Sequence, residues 1–405
     1  MKNNSVLFSF SCGENSYLDL NLYDTTNIMR FSFLESNKYI ERGPSYIGLD
    51  LLTIGLIVSF VDKQCFREDS VVDGWSRDIK VSFPVIAFDK WMLARETLET
   101  VLSFLSGDYW HIDFVKRELT SDEENFYKIK SKFKSNISNE SKIDMCMFSG
   151  GLDSFIGCID ILTTIPTNRK TIFVNIYGGG AGENSLFSEL SSLICNHFNY
   201  DINLFHSFNV SSMSNGKKII ENSTRCRSFM FFTHALALTT CFANVERLII
   251  PENGTISLNV PLTIGRYGSC STRTTHPFFI SSLQKLLSIL ELNVQIVNPY
   301  QFNTKGEMIC QCKDRNFLDE NIAKTMSCSH PKSGRFIKGE SGKSMHCGTC
   351  LPCLIRKSSE YHAYKKLVTN YRYMPGDKKS EVRNSCQLHD VLLFLLNSMI
   401  IQIFI

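Results

Sequence analysis

Two short stretches carry residue types at spacings that could do chemistry. The first is Ser149-Gly150-Gly151-Leu152-Asp153-Ser154. It follows an apolar run, 143–148, that reads as a short buried strand. It precedes an apolar-rich run that reads as a helix starting at Asp153. A strand, a Gly-Gly turn and a helix N-terminus make a nest of backbone N–H groups, with the positive end of a helix dipole behind it. Adjacent glycines let the backbone approach an anion that a Cβ would hold off. Ser149 and Ser154 add hydroxyl donors, and Asp153 can cap the helix or orient a magnesium ion. The chemistry implied is a cradle for pyrophosphate. The flanking strand and helix argue against a plain capped turn.

The second stretch is Cys347-Gly348-Thr349-Cys350-Leu351-Pro352-Cys353, with Cys328 upstream. Four thiolates suit tetrahedral zinc, and each C-x-x-C turn can place two sulfurs on one ion. A [4Fe–4S] cluster could use three or four of the same ligands. Zinc is preferred because no radical or redox partner motif is visible. His330, His346, Cys310 and Cys312 are alternative ligands. Arg356, three residues past Cys353, opens the following helix and could turn toward the site. A third string, Gly339-Glu340-Ser341-Gly342-Lys343-Ser344, imitates a Walker A loop. The required first glycine falls on Ile337, so it reads as an insertion loop.

The elements that must position these residues come in order along 405 residues, a length that suggests two or three domains. With 43% apolar residues the chain can fill real cores, and a net charge of +3 does not argue for nucleic acid or membrane. Fifteen cysteines and no secretory signal point to a reduced, cytoplasmic chain. The apolar runs 47–61 and 391–405 are too short to span a membrane and read as buried helices.

Residues 1–118 read as an accessory α+β domain, with strands at 5–11, 18–22, 79–84 and 110–115 and helices at 46–60 and 91–107. The Ser-, Asn-, Lys- and Glu-rich stretch 119–142 reads as a linker or an exposed helix. From 143 strands alternate with helices. Strands at 143–148, 171–175, 202–206, 247–250 and 294–297 imply a parallel five-stranded sheet with covered faces. Residues 371–405 read as a helical tail. In such sheets ligands sit outside the C-terminal strand ends, near the switch point. The Ser149 loop, the glycine loop after Asn175 and Tyr177, and Pro251-Glu252-Asn253-Gly254 all fall there.

The Ser149–Ser154 spacing resembles the PP-loop of ATP pyrophosphatases, which cleave ATP between the α and β phosphates. With Tyr177-Gly178, Arg227-Ser228, Thr304-Lys305-Gly306-Glu307, Ser327-Cys328 and the run from Cys347 to Arg356, residues 143–366 are similar to the QueC family of 7-cyano-7-deazaguanine synthases. The N-terminal region, Pro251-Glu252-Asn253-Gly254 and Arg273-Thr274-Thr275-His276-Pro277 look more like the QueC-like proteins of bacterial anti-phage defence operons, the QatC type. The resemblance implies a HUP-type α/β fold, ATP with Mg2+, and a structural Zn2+ beside the substrate pocket. It also implies adenylation of a 7-deazaguanine carboxylate, followed by attack of ammonia or a partner-protein amine to give an amide or nitrile. Operon partners would dock through the N-terminal region. The chain departs from the family at Tyr177-Gly178-Gly179-Gly180-Ala181-Gly182, where the usual basic pair is missing.

Ser149, Gly150, Gly151, Leu152, Asp153 and Ser154, with Asn175 and Tyr177, are assigned to the nucleotide, and Asp153, Lys305 and Arg227 to catalysis. Lys305, at a helix start, could stabilise leaving pyrophosphate. Arg225 and Arg227 precede an apolar helix at the end where the dipole disfavours a cation, so a nearby anion would explain them, as would an ion pair with Glu221. Arg225, Glu252, Asn253, Arg273 and His276 are assigned to substrate. The metal ligands are Cys328, Cys347, Cys350 and Cys353. Two alternatives remain: a tRNA-modifying PP-loop enzyme, which would want a basic surface, and a catalytically silent nucleotide-binding subunit of a defence complex.

Overall fold

The computed structural model describes residues 5–26, 28–34, 40–67, 76–130, 141–178, 181–212, 221, 225–258, 273–332 and 344–373. The expected tail helix and most of the Walker-like string lie outside them.

The elements of the N-terminal region are β1 (Leu7–Cys12), β2 (Asn15–Asn21), β3 (Met29–Phe31), α1 (Tyr46–Gln64), β4 (Asp78–Val85), α2 (Phe88–Ser106), β5 (Tyr109–Lys116) and α3 (Ser121–Lys130). Four strands form a sheet in the order β2-β1-β4-β5. The pairs β1–β2 and β1–β4 are antiparallel, and β4 and β5 are parallel because α2 carries the crossover. Gly107 closes α2 in the left-handed conformation. Part of the stretch read as a linker is α3, started by a reciprocal cap between Thr120 and Glu123.

The second half supplies β6 (Lys142–Met147), α4 (Leu152–Thr164), β7 (Arg169–Tyr177), α5 (Ala181–Phe198), β8 (Phe205–Ser212), α6 (Arg227–Thr239), β9 (Val245–Ile249), α7 (Gly254–Ser257), α8 (Pro277–Ile289), β10 (Gln295–Val297), α9 (Lys305–Gln311), α10 (Arg315–Asn321) and α11 (Leu351–Tyr364). The sheet order is β10-β9-β6-β7-β8-β3. The five strands from the second half are parallel, in the doubly wound arrangement in which the order reverses between β6 and β9. The expected five-stranded sheet thus has six strands. Residues 29–31 add an antiparallel edge on β8, with Met29 opposite Ser212 and Phe31 opposite Val210. Three residues are too few to show alternation, so this strand left no mark in the pattern. The strand expected at 202–206 starts later, because Asp201 caps a 3-10 turn over Ile202–Leu204 before β8 begins.

One buried apolar cluster runs from the first sheet through α1, α6 and α8 to one face of the second sheet, and α4, α5, α9 and α10 close the other face. The apolar run 46–64 is therefore a helix buried between two layers. Its Asp50 accepts hydrogen bonds from Ile86 N, Ala87 N and Trp91 Nε1 at 2.8–2.9 Å, tying α1 to the start of α2. Burial pushes its carboxyl up to about 6. Helices α1 and α6 run antiparallel at close quarters. A Cβ at Gly55 would stand 1.9 Å from Thr233 Oγ1, so only glycine allows this approach. Among the described residues, no helix is long and apolar enough to cross a membrane.

Candidate functional site

The central strand β6 ends at Met147, and Phe148 is locked by its N–H to Val174 O at 2.8 Å. The chain then turns outward. Ser149 is exposed, and Gly150 takes φ +80°, a conformation that strains any side chain. Helix α4 starts at Leu152, so the turn and the helix N-terminus lie at the carboxyl edge of the sheet. Ser154 Oγ donates to Gly151 O at 3.0 Å and lies 3.3 Å from Ser149 Oγ, which brings both hydroxyls to the loop.

Asp153, in the first turn of α4, is buried. One carboxylate oxygen forms an ion pair with Lys305 Nζ at 2.7 Å, and the other accepts from Asn253 Nδ2 at 2.7 Å. Three segments therefore meet at the switch point: the start of α4, the exit of β9 and the start of α9. Lys305 is held there by the capping box of Thr304 and Glu307. Both oxygens of Asp153 have protein partners, one of them a cation, an arrangement that fits a loop-orienting role better than metal binding. The buried Asn253 Oδ1 has no hydrogen-bond partner among the described residues. Glu252 lies next to this group and is half-buried. Burial and the Asp153 charge push its carboxyl up to about 7, against the pull of Lys305.

The other assigned residues divide in two. Asn175 is buried at the end of β7 and donates to Ser207 Oγ at 3.1 Å, which reaches Asn184 Oδ1 at 3.1 Å. Tyr177 is half-buried beside it, and Arg227 Nη2 would be 3.9 Å from a Cβ on Gly178. Arg227 also lies over the Phe231 ring at 5.0 Å. Arg225, Arg273 and His276, assigned to substrate, are placed on the C-terminal turn of α2. Arg225 Nη1 donates to Ser106 O at 2.8 Å and Arg273 Nη1 to Phe104 O at 2.5 Å. His276 accepts from Phe278 N at 3.2 Å as the cap of α8 and packs on Phe104. The unpaired carbonyls and negative dipole end of α2 account for both arginines. Glu221, the alternative partner of Arg225 and Arg227, accepts from Arg67 N instead.

The four cysteines converge. Their Sγ atoms all lie within 4.8 Å of one another, with Cys328–Cys350 at 3.8 Å and Cys347–Cys353 at 3.9 Å. Zinc–thiolate bonds of about 2.3 Å in a tetrahedron require S···S edges of about 3.8 Å. Backbone N–H groups of His330, Cys347 and Cys350 point at sulfurs at 3.2–3.3 Å, a pattern that favours thiolates. Hydrogen bonding from Cys328 first, then Cys353, brings the Cys350 thiol down to about 6. The donor set and its spacing fit a zinc ion. His346 is not one of the four; its Nε2 donates to Thr325 O at 3.0 Å, leaving Nδ1 toward Cys353. Cys310 and Cys312 stand outside the cluster.

No protein-family model matches this chain, and no curated protein matches it.

The two motifs are in direct contact. Met326 N donates to Gly150 O at 3.1 Å, so the chain entering Cys328 lies on the glycine turn. Arg356 holds that segment. Fully buried, it donates to Ile322 O at 2.6 Å, Thr325 O at 3.1 Å, Thr325 Oγ1 at 2.9 Å and Ser327 Oγ at 3.3 Å. Glu360 balances its charge at 2.9 Å. Sequence reasoning missed Glu360, Thr325 and Met326. The i,i+4 spacing of Arg356 and Glu360 was the one available signal.

Proposed function

We propose that the chain is an ATP-dependent enzyme with a HUP-type fold of the QueC-like kind, a carbon–nitrogen ligase acting on a carboxylate. The observation that carries this reading is the contact between the Ser149 loop and the four-cysteine segment at Gly150 and Met326. It joins a phosphate-binding nest at the switch point to a zinc-ordered wall. The carboxylate oxygen would attack the α-phosphorus of ATP, and the bond to the β-phosphate oxygen would break. The loop N–H groups and hydroxyls would hold the departing pyrophosphate, with Lys305 offsetting its charge. An amine nitrogen would then attack the acyl carbon, expelling AMP and losing a proton. Magnesium bound with the nucleotide would offset phosphate charge. The zinc would order the wall that presses on the loop.

The substrate proposed is a 7-deazaguanine carboxylate, and the nitrogen donor ammonia or an amine of a partner protein, in the setting of anti-phage defence in the cytoplasm. The test is incubation with ATP, 7-carboxy-7-deazaguanine and ammonium, with detection of AMP, pyrophosphate and an amide or nitrile. No AMP, with or without a partner protein, would overturn it. One observation favours a silent nucleotide-binding subunit: Arg225, Arg273 and His276 are packed on α2 rather than gathered at the loop. ATP binding without AMP release would select that reading.

A further inference from the structure

We propose that Glu252 and Asn253, at the exit of β9, form the seat of the nitrogen nucleophile: Asn253 Oδ1 accepts one N–H of ammonia or a primary amine, and the Glu252 carboxylate takes the proton that the nitrogen loses. This inference rests on the ligase reading and assigns residues to its second step.

The loop that carries both residues is fixed from three sides. Pro251 packs on α4, where a Cβ at Gly157 would stand 2.4 Å from Pro251 Cβ. Glu252 O accepts from Asn298 Nδ2 at 2.8 Å, just beyond the end of β10. Gly254 N donates to Asn303 O at 2.7 Å. Strands β9 and β6 are neighbours, so this loop and the Ser149 loop flank the crevice where the strand order reverses.

The unmet group in this loop is an acceptor. Asn253 is fully buried and its Nδ2 is engaged by Asp153 at 2.7 Å, which leaves Oδ1 without a donor among the described residues. A buried amide oxygen without a donor is destabilising, and a ligand N–H satisfies it. Phosphate and carboxylate oxygens have no proton to offer. The neighbouring Glu252 carboxyl is a second acceptor when ionised. The charged groups that act on it are Asp153 of α4 and Lys305 of α9, which are paired with each other at 2.7 Å. Burial first, and then the Asp153 charge, bring this carboxyl up to about 7, where a group both takes and releases a proton at neutral pH. In the step proposed, the nitrogen lone pair forms a bond to the acyl carbon. One N–H proton passes to the Glu252 carboxylate. The bond from the acyl carbon to the AMP phosphate oxygen breaks, and its electron pair leaves with AMP.

The test uses the full chain as wild type, Glu252→Gln and Asn253→Ala, with ATP, 7-carboxy-7-deazaguanine and ammonium chloride. Two rates are measured: exchange of labelled pyrophosphate into ATP, which reports adenylation, and formation of amide or nitrile. In Glu252→Gln the ratio of product formation to exchange should fall about a hundredfold, the loss of a general base. With free ammonia held constant, the rise of the wild-type rate through about pH 7 should be absent from this variant. An unchanged ratio, or a changed KM for 7-carboxy-7-deazaguanine instead, would overturn the assignment. Asn253→Ala should raise the KM for ammonium roughly tenfold, the loss of one hydrogen bond. Loss of exchange in that variant would show that Asn253 serves Asp153 alone and overturn its place in the seat. Wild type without exchange would overturn the ligase reading. Wild type that exchanges pyrophosphate but gives no product with ammonium would overturn the seat alone.

Discussion

Arg356→Met tests whether the four-cysteine segment and the Ser149 loop are one mechanical unit. The guanidinium makes six hydrogen bonds: to Ile322 O, Thr325 O, Thr325 Oγ1, Ser327 Oγ, Thr369 Oγ1 and Glu360 Oε1. Removing it leaves the Glu360 carboxylate buried without its counter-charge, which in other proteins costs about 3–5 kcal/mol. The lower end applies here. Glu360 keeps four neutral donors, from Val368 N, Thr369 N, Thr369 Oγ1 and Tyr371 Oη. Against a total stability of roughly 5–15 kcal/mol this is a large fraction. The assay is urea unfolding of the zinc-loaded chain, together with chelator-driven zinc release. The midpoint should fall by the equivalent of about 3 kcal/mol, and release should quicken. Adding Glu360→Gln should return part of the loss, because the stranded charge is gone. Glu360 is held below its ordinary value, so its contribution is present above about pH 4.5 and is lost as the pH falls through its folded value. The deficit of Arg356→Met should therefore shrink in acid. A shift under about 1 kcal/mol at pH 7, or a double variant carrying the full sum of both losses, would refute the keystone role.

Other outcomes follow from the same geometry. Cys350→Ser should abolish stoichiometric zinc, measured by elemental analysis of the purified chain, and zinc retained at one equivalent would remove Cys350 from the ligand set. Gly150→Ala places a Cβ at φ +80° and should cost about 1–2 kcal/mol by thermal unfolding while weakening ATP in a filter-binding assay; an unstrained variant with normal affinity would deny the nest its role. The raised carboxyl of Glu252 means the folded state retains a proton that the unfolded chain has lost between about pH 4.5 and 7, so stability falls as pH rises through that window. Glu252→Gln should be more stable than wild type above pH 7 by on the order of 1–3 kcal/mol and equal to it near pH 4, and parallel stability curves would exclude that environment.

The loop, the parallel strands and the four-cysteine spacing were legible because each is a local property. Gly150 and Gly151 declare a turn, 143–148 declares a buried strand, and C-x-x-C-x-x-C declares sulfurs spaced to share an ion. Lys305 and Asn253 were assigned from their helix-start and strand-end positions, and the chain topology brings those positions to Asp153. What sequence could not reveal depends on packing between distant segments. Arg225 and Arg273 have the same local signature as Arg227, a guanidinium at a helix entrance. They differ only in what the tertiary fold offers them. The last turn of α2 presents free carbonyls to the first two, whereas Arg227 points along the sheet edge toward Gly178. No window of sequence contains both partners. The same holds for α1, whose apolar run suggested a buried helix but not its neighbour; the seven-residue step from Gly48 to Gly55 acquires meaning only beside Thr240 and Thr233. The same register sets the last turn of α1 beside the first turn of α6, where Asp62 accepts from Cys226 N at 3.4 Å.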